Sequence, residues 1–200
     1  MLVLASASPR RRELLAQAGY LFKVHPAHIA EEPLAGEDPI AYVVRLAREK
    51  AEAAFRELTE GTSGRRIEAG EGQLAVLGAD TTVTLDKQIL GKPENAADAA
   101  RMLRLLSGRT HRVMTGVALK TAAGVEVAAE VTGVRFLTLR DEEIDAYVAG
   151  GEPMDKAGAY AIQGRAARWI PRVEGCYFNV VGLPLALVCS LLEGAGIMAA

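Results

Sequence analysis

From Asp38-Pro39 onward, apolar side chains recur at Ile40, Val43, Val44, Ala47, Ala51, Ala54, Phe55 and Leu58. That spacing is a helical stripe sustained over about five turns, opened by an N-cap Asp and a Pro at the first helical position. Around it the chain alternates between strand-like and helix-like segments. Leu2 to Ala5 reads as a short buried strand and Leu21 to Val24 as another. Between them Ser8 is an N-cap, Pro9 a first helical residue, Leu14, Leu15 and Ala18 an apolar face, and Gly19 a terminator. Leu74 to Leu85 is strand-like and predicted to break at Gly78-Ala79-Asp80-Thr81. Asn95 caps a third helix with Ala99, Met102, Leu103 and Leu106 inside and Gly108 after it. Two strands follow, near Arg112 to Leu119 and Val125 to Leu137, turned around Ala123-Gly124. Asp141 opens a helix through Val148, Gly158 to Ile170 is predicted to be extended, and Pro184 begins a last helix ending near Gly194. Early alternation with a later hairpin predicts an α/β fold with a mixed sheet. Residues 59–73, with Gly61, Gly64, Gly70 and Gly72, are predicted to form a flexible surface loop.

A chain of 200 residues suits one domain, or one domain with two lobes around a cleft. Half of its residues are hydrophobic, which supplies a core, and its net charge of -2 argues against a chain-wide polyanion binder, so nucleic acid is not an expected partner. Any basic site has to be local. Cys176 and Cys189 have neither disulfide-framework nor zinc spacing. The apolar N-terminus precedes its arginines, the reverse of a signal peptide, and the apolar runs fall short of a membrane span. The expected compartment is the cytoplasm.

Chemistry concentrates at a few points. Ser6-Ala7-Ser8-Pro9-Arg10-Arg11-Arg12 runs from a strand into a helix start. Unpaired N–H groups, the helix dipole, hydroxyls and arginines together favour an anion there, although a solvated basic helix start reads the same way. The P-loop pattern is absent from the sequence. Asp80 follows an apolar run; at the end of a buried strand it would sit in the usual α/β cleft, where a metal or other cation offsets the cost of its charge. Taken alone, an Asp in a turn fits equally. Lys92 in Gly91-Lys92-Pro93 and Lys156 in Asp155-Lys156-Ala157-Gly158 stand in tight loops from which an ammonium reaches a phosphate, or simply solvent. Lys50 lies beside the apolar stripe and can snorkel from the core edge. His25-x-x-His28 lacks further metal ligands, and no Gly-x-Ser-x-Gly elbow supports a serine triad.

Taken together, these stretches resemble the Maf family of nucleoside triphosphate pyrophosphatases. The resemblance is carried by Ser6-Ala7-Ser8-Pro9-Arg10-Arg11, Arg45-Leu46-Ala47-Arg48-Glu49-Lys50-Ala51, Gly78-Ala79-Asp80-Thr81 and Gly91-Lys92-Pro93. It continues through Leu105-Leu106-Ser107-Gly108, Asp155-Lys156-Ala157-Gly158-Ala159-Tyr160, Ile162-Gln163-Gly164 and Val180-Val181-Gly182-Leu183-Pro184, so it spans nearly the whole chain in order.

That resemblance implies a single Maf-like domain over residues 1–200, similar to the inosine-triphosphatase fold, with an elongated mixed sheet and two lobes around a cleft. It implies a nucleoside triphosphate substrate, a divalent cation such as Mg2+ or Mn2+, water attack at the α-phosphorus, and a homodimer. Ser8, Arg10, Arg11, Lys50, Lys92 and Lys156 would contact phosphates. Asp80 would be the general base or a metal ligand, with Glu31 and Asp155 as further acidic ligands, Asp155 alternatively serving Lys156. Relatives often carry an acid just before the Glu31 position, where this chain has Ala30. Arg10, Thr81 and Gln163 match the members that act on dTTP and UTP. The Gln163 amide both donates and accepts, as the N3–H and O4 edge of uracil or thymine requires. The competing expectations are a pyrophosphatase for purine or modified nucleotides such as 7-methylguanosine triphosphate, and a nucleotide-binding regulator of septum formation.

Overall fold

The computed structural model describes residues 1–60 and 73–200. Among them, the strands are β1 (Leu2–Leu4), β2 (Phe22–Val24), β3 (Ala75–Leu85), β4 (Gln88–Leu90), β5 (Thr110–Thr121), β6 (Gly124–Arg135) and β7 (Arg172–Glu174). The helices are α1 (Pro9–Gln17), α2 (Pro39–Glu60), α3 (Ala96–Leu106), α4 (Asp141–Ala149), α5 (Tyr177–Val181) and α6 (Leu185–Gly194). The strands form a mixed sheet in the order β2-β1-β3-β5-β6-β7, with β4 pairing β3 off that path. β1 runs parallel to both neighbours, placing Leu4 beside Val24 and Leu77. β4 is antiparallel to β3, and β7 to β6. The fold is therefore the expected α/β class with a mixed sheet.

The chain divides into two compact units: Met1–Asp80 with Thr115–Glu130 and Gly182–Ala200, and Thr81–Met114 with Val131–Val181. In the first, α2 buries Tyr42, Val43, Leu46, Ala47, Lys50, Ala51 and Ala54. Two glycines let this helix settle directly onto strands. A Cβ on Gly78 of β3 would lie 2.2 Å from the Ala47 carbonyl oxygen, and one on Gly116 of β5 would lie 2.3 Å from that of Val43. The core there gathers Val3, Ala5, Ala47, Ala51, Ala54, Leu74, Val76 and Ala118. The chain end returns to this unit, where the Ala200 N–H donates to Gly19 at 2.9 Å.

In the second unit Asn95 caps α3, accepting from the Asp98 N–H at 3.0 Å. Its interior is aromatic. Phe136, Tyr160 and His111 meet edge-on with centroids 4.9–5.3 Å apart, and Tyr147 packs on Trp169 at 5.0 Å, arrangements that the ring quadrupoles favour.

The structure corrects the sequence expectation at several places. β3 does not break at Gly78-Ala79-Asp80-Thr81; it runs unbroken from Ala75 to Leu85, so Asp80 lies within a strand and not at its end. Gly78 is there for close helix approach, not for a turn. Gly158 to Ile170 is not extended: short 3-10 turns occupy Ala157–Ala159 and Arg165–Trp169, because Gly158 and Ala159 both take positive φ, 69° and 61°. α2 continues through Glu60, so the predicted loop cannot begin at 59; residues 61–72 of that loop lie outside the described residues. β4, β7 and α5 were not foreseen, being too short to display a period.

Candidate active site

The first unit builds a polar cluster from the ends of β1 and α1, the face of α2 and the middle of β3. Ser8 is the N-cap of α1: its Oγ accepts from the Arg11 N–H at 3.4 Å, and its own N–H donates to Ser6 Oγ at 3.3 Å. Arg11 turns inward from that first turn. Its Nε donates to the Gly182 carbonyl at 2.8 Å, and its Nη1 donates to the Ala79 carbonyl at 2.9 Å and to Ser6 Oγ at 3.2 Å. The guanidinium thus stitches three distant pieces of chain while holding positive charge near Asp80 and Glu31. Burial lowers its pKa, and those two acids oppose the shift. Arg10, half-buried beside it, adds a repulsive charge in the same direction as burial.

Lys50 is the centre of the cluster. It projects from the buried face of α2, only 7 % exposed. Its Nζ lies 2.6 Å from Asp80 Oδ1 and 2.6 Å from Glu31 Oε1. An ammonium this deep is tolerable only with such partners. Asp80 is equally buried at 7 % exposure. Burial raises its pKa above the ordinary carboxylate value; Lys50 and Arg11 pull it back, and Glu31 pushes it further up. The loop bearing Glu31 is tied down by α2. The Tyr42 hydroxyl donates to the Glu31 carbonyl at 3.0 Å, and Arg45 Nη2 donates to the Glu32 carbonyl at 3.0 Å. Arg45 is held in turn by Glu37 through two bonds of 2.7 Å, which draws the Glu37 pKa down to about 2. Tyr42 and Glu37 had no sequence signal beyond one turn of helix spacing between Tyr42 and Arg45.

In the second unit the two lysine loops are joined: the Gly158 N–H donates to the Gly91 carbonyl at 3.0 Å. Lys92 is exposed in the first loop. Lys156 Nζ donates to the Glu152 carbonyl at 2.8 Å and pairs with the Asp155 carboxylate. Gln163 is exposed on a turn closed by the Gly164 N–H donating to the Ala161 carbonyl at 3.1 Å, and Thr81 is half-buried on β3. Glu152 was not anticipated at all. A shallow hollow lined by Thr110, Arg135, Arg172 and Glu174 contains none of these residues. His25 pairs with Glu57 at 2.7 Å.

Among the described residues no group of three or more His, Cys, Asp or Glu side chains gathers as a ready-made metal centre. The donor set in the first unit nevertheless suits a hard cation. Two carboxylate oxygens, on Glu31 and Asp80, converge on one point, and a positive group already stands there.

The family profile described as Maf-like protein matches residues 1–195. The chain is 50% identical over 197 residues to the dTTP/UTP pyrophosphatase of Koribacter versatilis (strain Ellin345), covering 98% of this chain and 95% of that protein. It is 53% identical to the dTTP/UTP pyrophosphatase of Geobacter sp. (strain M21), with the same coverage, and 51% identical to that of Anaeromyxobacter dehalogenans (strain 2CP-C), covering 98% and 94%. Matched along nearly its whole length by the profile and by these relatives, the chain belongs to the Maf family.

Proposed function

We propose that this chain hydrolyses dTTP and UTP to the nucleoside monophosphate and pyrophosphate, using a divalent cation, Mg2+ or Mn2+, in the cytoplasm and as a homodimer. The substrate assignment is supported by the names of relatives about half identical to it over nearly their full length. The observation that carries the chemistry is the buried Lys50–Asp80 pair, which the exposed Glu31 carboxylate joins at Lys50 Nζ. The compartment and the dimer are what the family resemblance implies.

In the reaction, a water oxygen bonds to the α-phosphorus and the bond to the bridging oxygen breaks, so that pyrophosphate leaves. Asp80 takes the water proton. A desolvated carboxylate with a raised pKa is a better base than an exposed one, and Lys50 and Arg11 oppose that rise by favouring its ionised form. A bound divalent cation, held by Glu31 and Asp80, would neutralise phosphate charge. Ser8 and Arg10 at the α1 start, with Lys92 and Lys156, supply charge and hydrogen bonds to the leaving group. Asp155 keeps Lys156 in place, and Gln163, with Thr81 and Arg10, reads the base.

The test is a phosphate-release screen over nucleoside triphosphates, coupled to an inorganic pyrophosphatase, with Mg2+ and with EDTA. dTTP and UTP should be the best substrates and EDTA should abolish release. Highest turnover with 7-methylguanosine triphosphate, or none with any nucleotide, would sink the assignment.

A further inference from the structure

We propose that Glu152, acting with Tyr147, is a positioning residue for base selection: its carboxylate clamps both ends of the turn that carries Gln163. The inference rests on the pyrophosphatase reading above and deepens it.

Tyr147 lies on α4 with 0% exposure. Its hydroxyl donates to Glu152 Oε1 at 2.9 Å and accepts from the Ala161 N–H at 3.2 Å. On the far side of the turn the Arg165 N–H donates to both Glu152 oxygens, at 3.0 and 3.3 Å. The residue that enters the turn and the residue that leaves it are therefore fastened to one carboxylate, directly or through one phenol. Burial, and after it the hydrogen bond to Glu152, raise the Tyr147 pKa, so the phenol stays a donor. Gly164 makes room: a Cβ there would stand 1.9 Å from Glu152 Oε1. The carboxylate is tucked beneath the turn, and bonds to a charged acceptor are the stronger kind. The main-chain carbonyl of the same residue accepts from Lys156 Nζ at 2.8 Å. Glu152 thus fixes both the turn under Gln163 and the ammonium expected to meet phosphate.

Clamping matters for selectivity because a primary amide has two faces. One orientation pairs with the N3–H and O4 of uracil; turned by half a revolution, it pairs with the N3 and amine of cytosine. A loose carrier lets both occur. Loss of the clamp should therefore change the ratio between the two bases, whereas a purely structural lesion lowers both rates together.

The experiment measures kcat/KM for UTP and CTP with Mg2+ in wild type, Tyr147→Phe, Gly164→Ala, Glu152→Gln and Gln163→Ala, together with amide hydrogen exchange at residues 161–165. Gly164→Ala meets side-chain atoms of Glu152 and no main-chain atom, so it displaces the clamping carboxylate itself. Tyr147→Phe and Gly164→Ala should lower the UTP-to-CTP ratio by about tenfold, the scale of one misaligned hydrogen bond. They should also speed exchange at Ala161 and Arg165. Glu152→Gln, which keeps an acceptor for Tyr147, should fall between them and wild type. An unchanged ratio in Tyr147→Phe and Gly164→Ala, or equal loss with both nucleotides, overturns the clamp even if Gln163→Ala lowers the ratio. An unchanged ratio in Gln163→Ala overturns it at the base-reading step. Failure of the pyrophosphatase reading itself is recognised separately, as no pyrophosphate from wild type.

Discussion

Asp80 shows how one residue's surroundings set its chemistry. It sits within β3 and almost out of solvent, between an ammonium that holds it ionised and a desolvation cost that favours its protonation. Asp80→Asn keeps the size and an oxygen toward Lys50, so the fold should survive. Removing a general base lowers turnover by roughly a hundred- to ten-thousandfold, and that is the loss expected here. Steady-state pyrophosphate release, with circular dichroism to verify folding, makes the comparison; wild-type turnover in a folded Asp80→Asn protein rules out the assigned role. Asp80, Lys50 and Glu31 were each legible in the sequence only as members of a familiar set of motifs. Their convergence on one ammonium could not be read, because Lys50 and Asp80 stand thirty positions apart and no local pattern records which way either points.

At the scale of elements, α2 is the scaffold of the first unit. Its stripe was visible as a 3.6-residue period, and its Asp38-Pro39 start is as expected: Asp38 Oδ1 accepts from the Ile40 N–H at 2.9 Å. Its closeness to the sheet depends on two glycines instead. Gly78→Ala would set a methyl 2.2 Å from the Ala47 oxygen and 2.9 Å from the Ala51 nitrogen, both main-chain atoms of a helix that cannot yield singly. The helix would have to lift, carrying Lys50 with it. We expect a loss of about 3 kcal/mol or more, at or above the upper end of ordinary overpacking, together with weakened activity. A urea midpoint within error of wild type would show that α2 does not rest on β3 at Gly78. The same position explains why β3 was misread: a glycine followed by an Asp-Thr pair looks like a turn unless the helix that needs the space is known.

For the whole molecule, the pH dependence of stability reports on the aromatic interior of the second unit. His111 is 1% exposed, and its Nε2 lies 2.7 Å from the Tyr160 hydroxyl. Burial pushes its pKa down from 6.5 to about 3. The unfolded chain therefore binds a proton there below pH 6.5 that the folded chain refuses until near pH 3. Its contribution is intact above 6.5 and is lost as pH falls through that window. The loss approaches about 1.4 kcal/mol per pH unit for one proton. His111→Gln retains an acceptor for Tyr160 and does not titrate, so its urea midpoint should fall less steeply than that of wild type from pH 6.5 to 5. Parallel curves would mean that His111 is protonated in the folded state. Nothing in the sequence distinguished this histidine from an exposed one, since its neighbours Arg109, Thr110 and Arg112 are polar.

The sequence by itself determined the element types where a period or a cap repeats locally: the α2 stripe, the Ser8 and Asn95 caps, the β5–β6 hairpin and the α/β class. It also determined the family, because many short motifs agree in order along the whole chain. The tertiary structure alone decided which groups meet. Arg11 joins Gly182 across 171 positions, Lys50 stands between Glu31 and Asp80, and Glu152 lies under the turn of Gln163. Secondary structure is written in neighbours a few residues apart, which side-chain spacing records. Burial, ion pairing and pKa depend on what the folded backbone brings alongside, and that information has no local period.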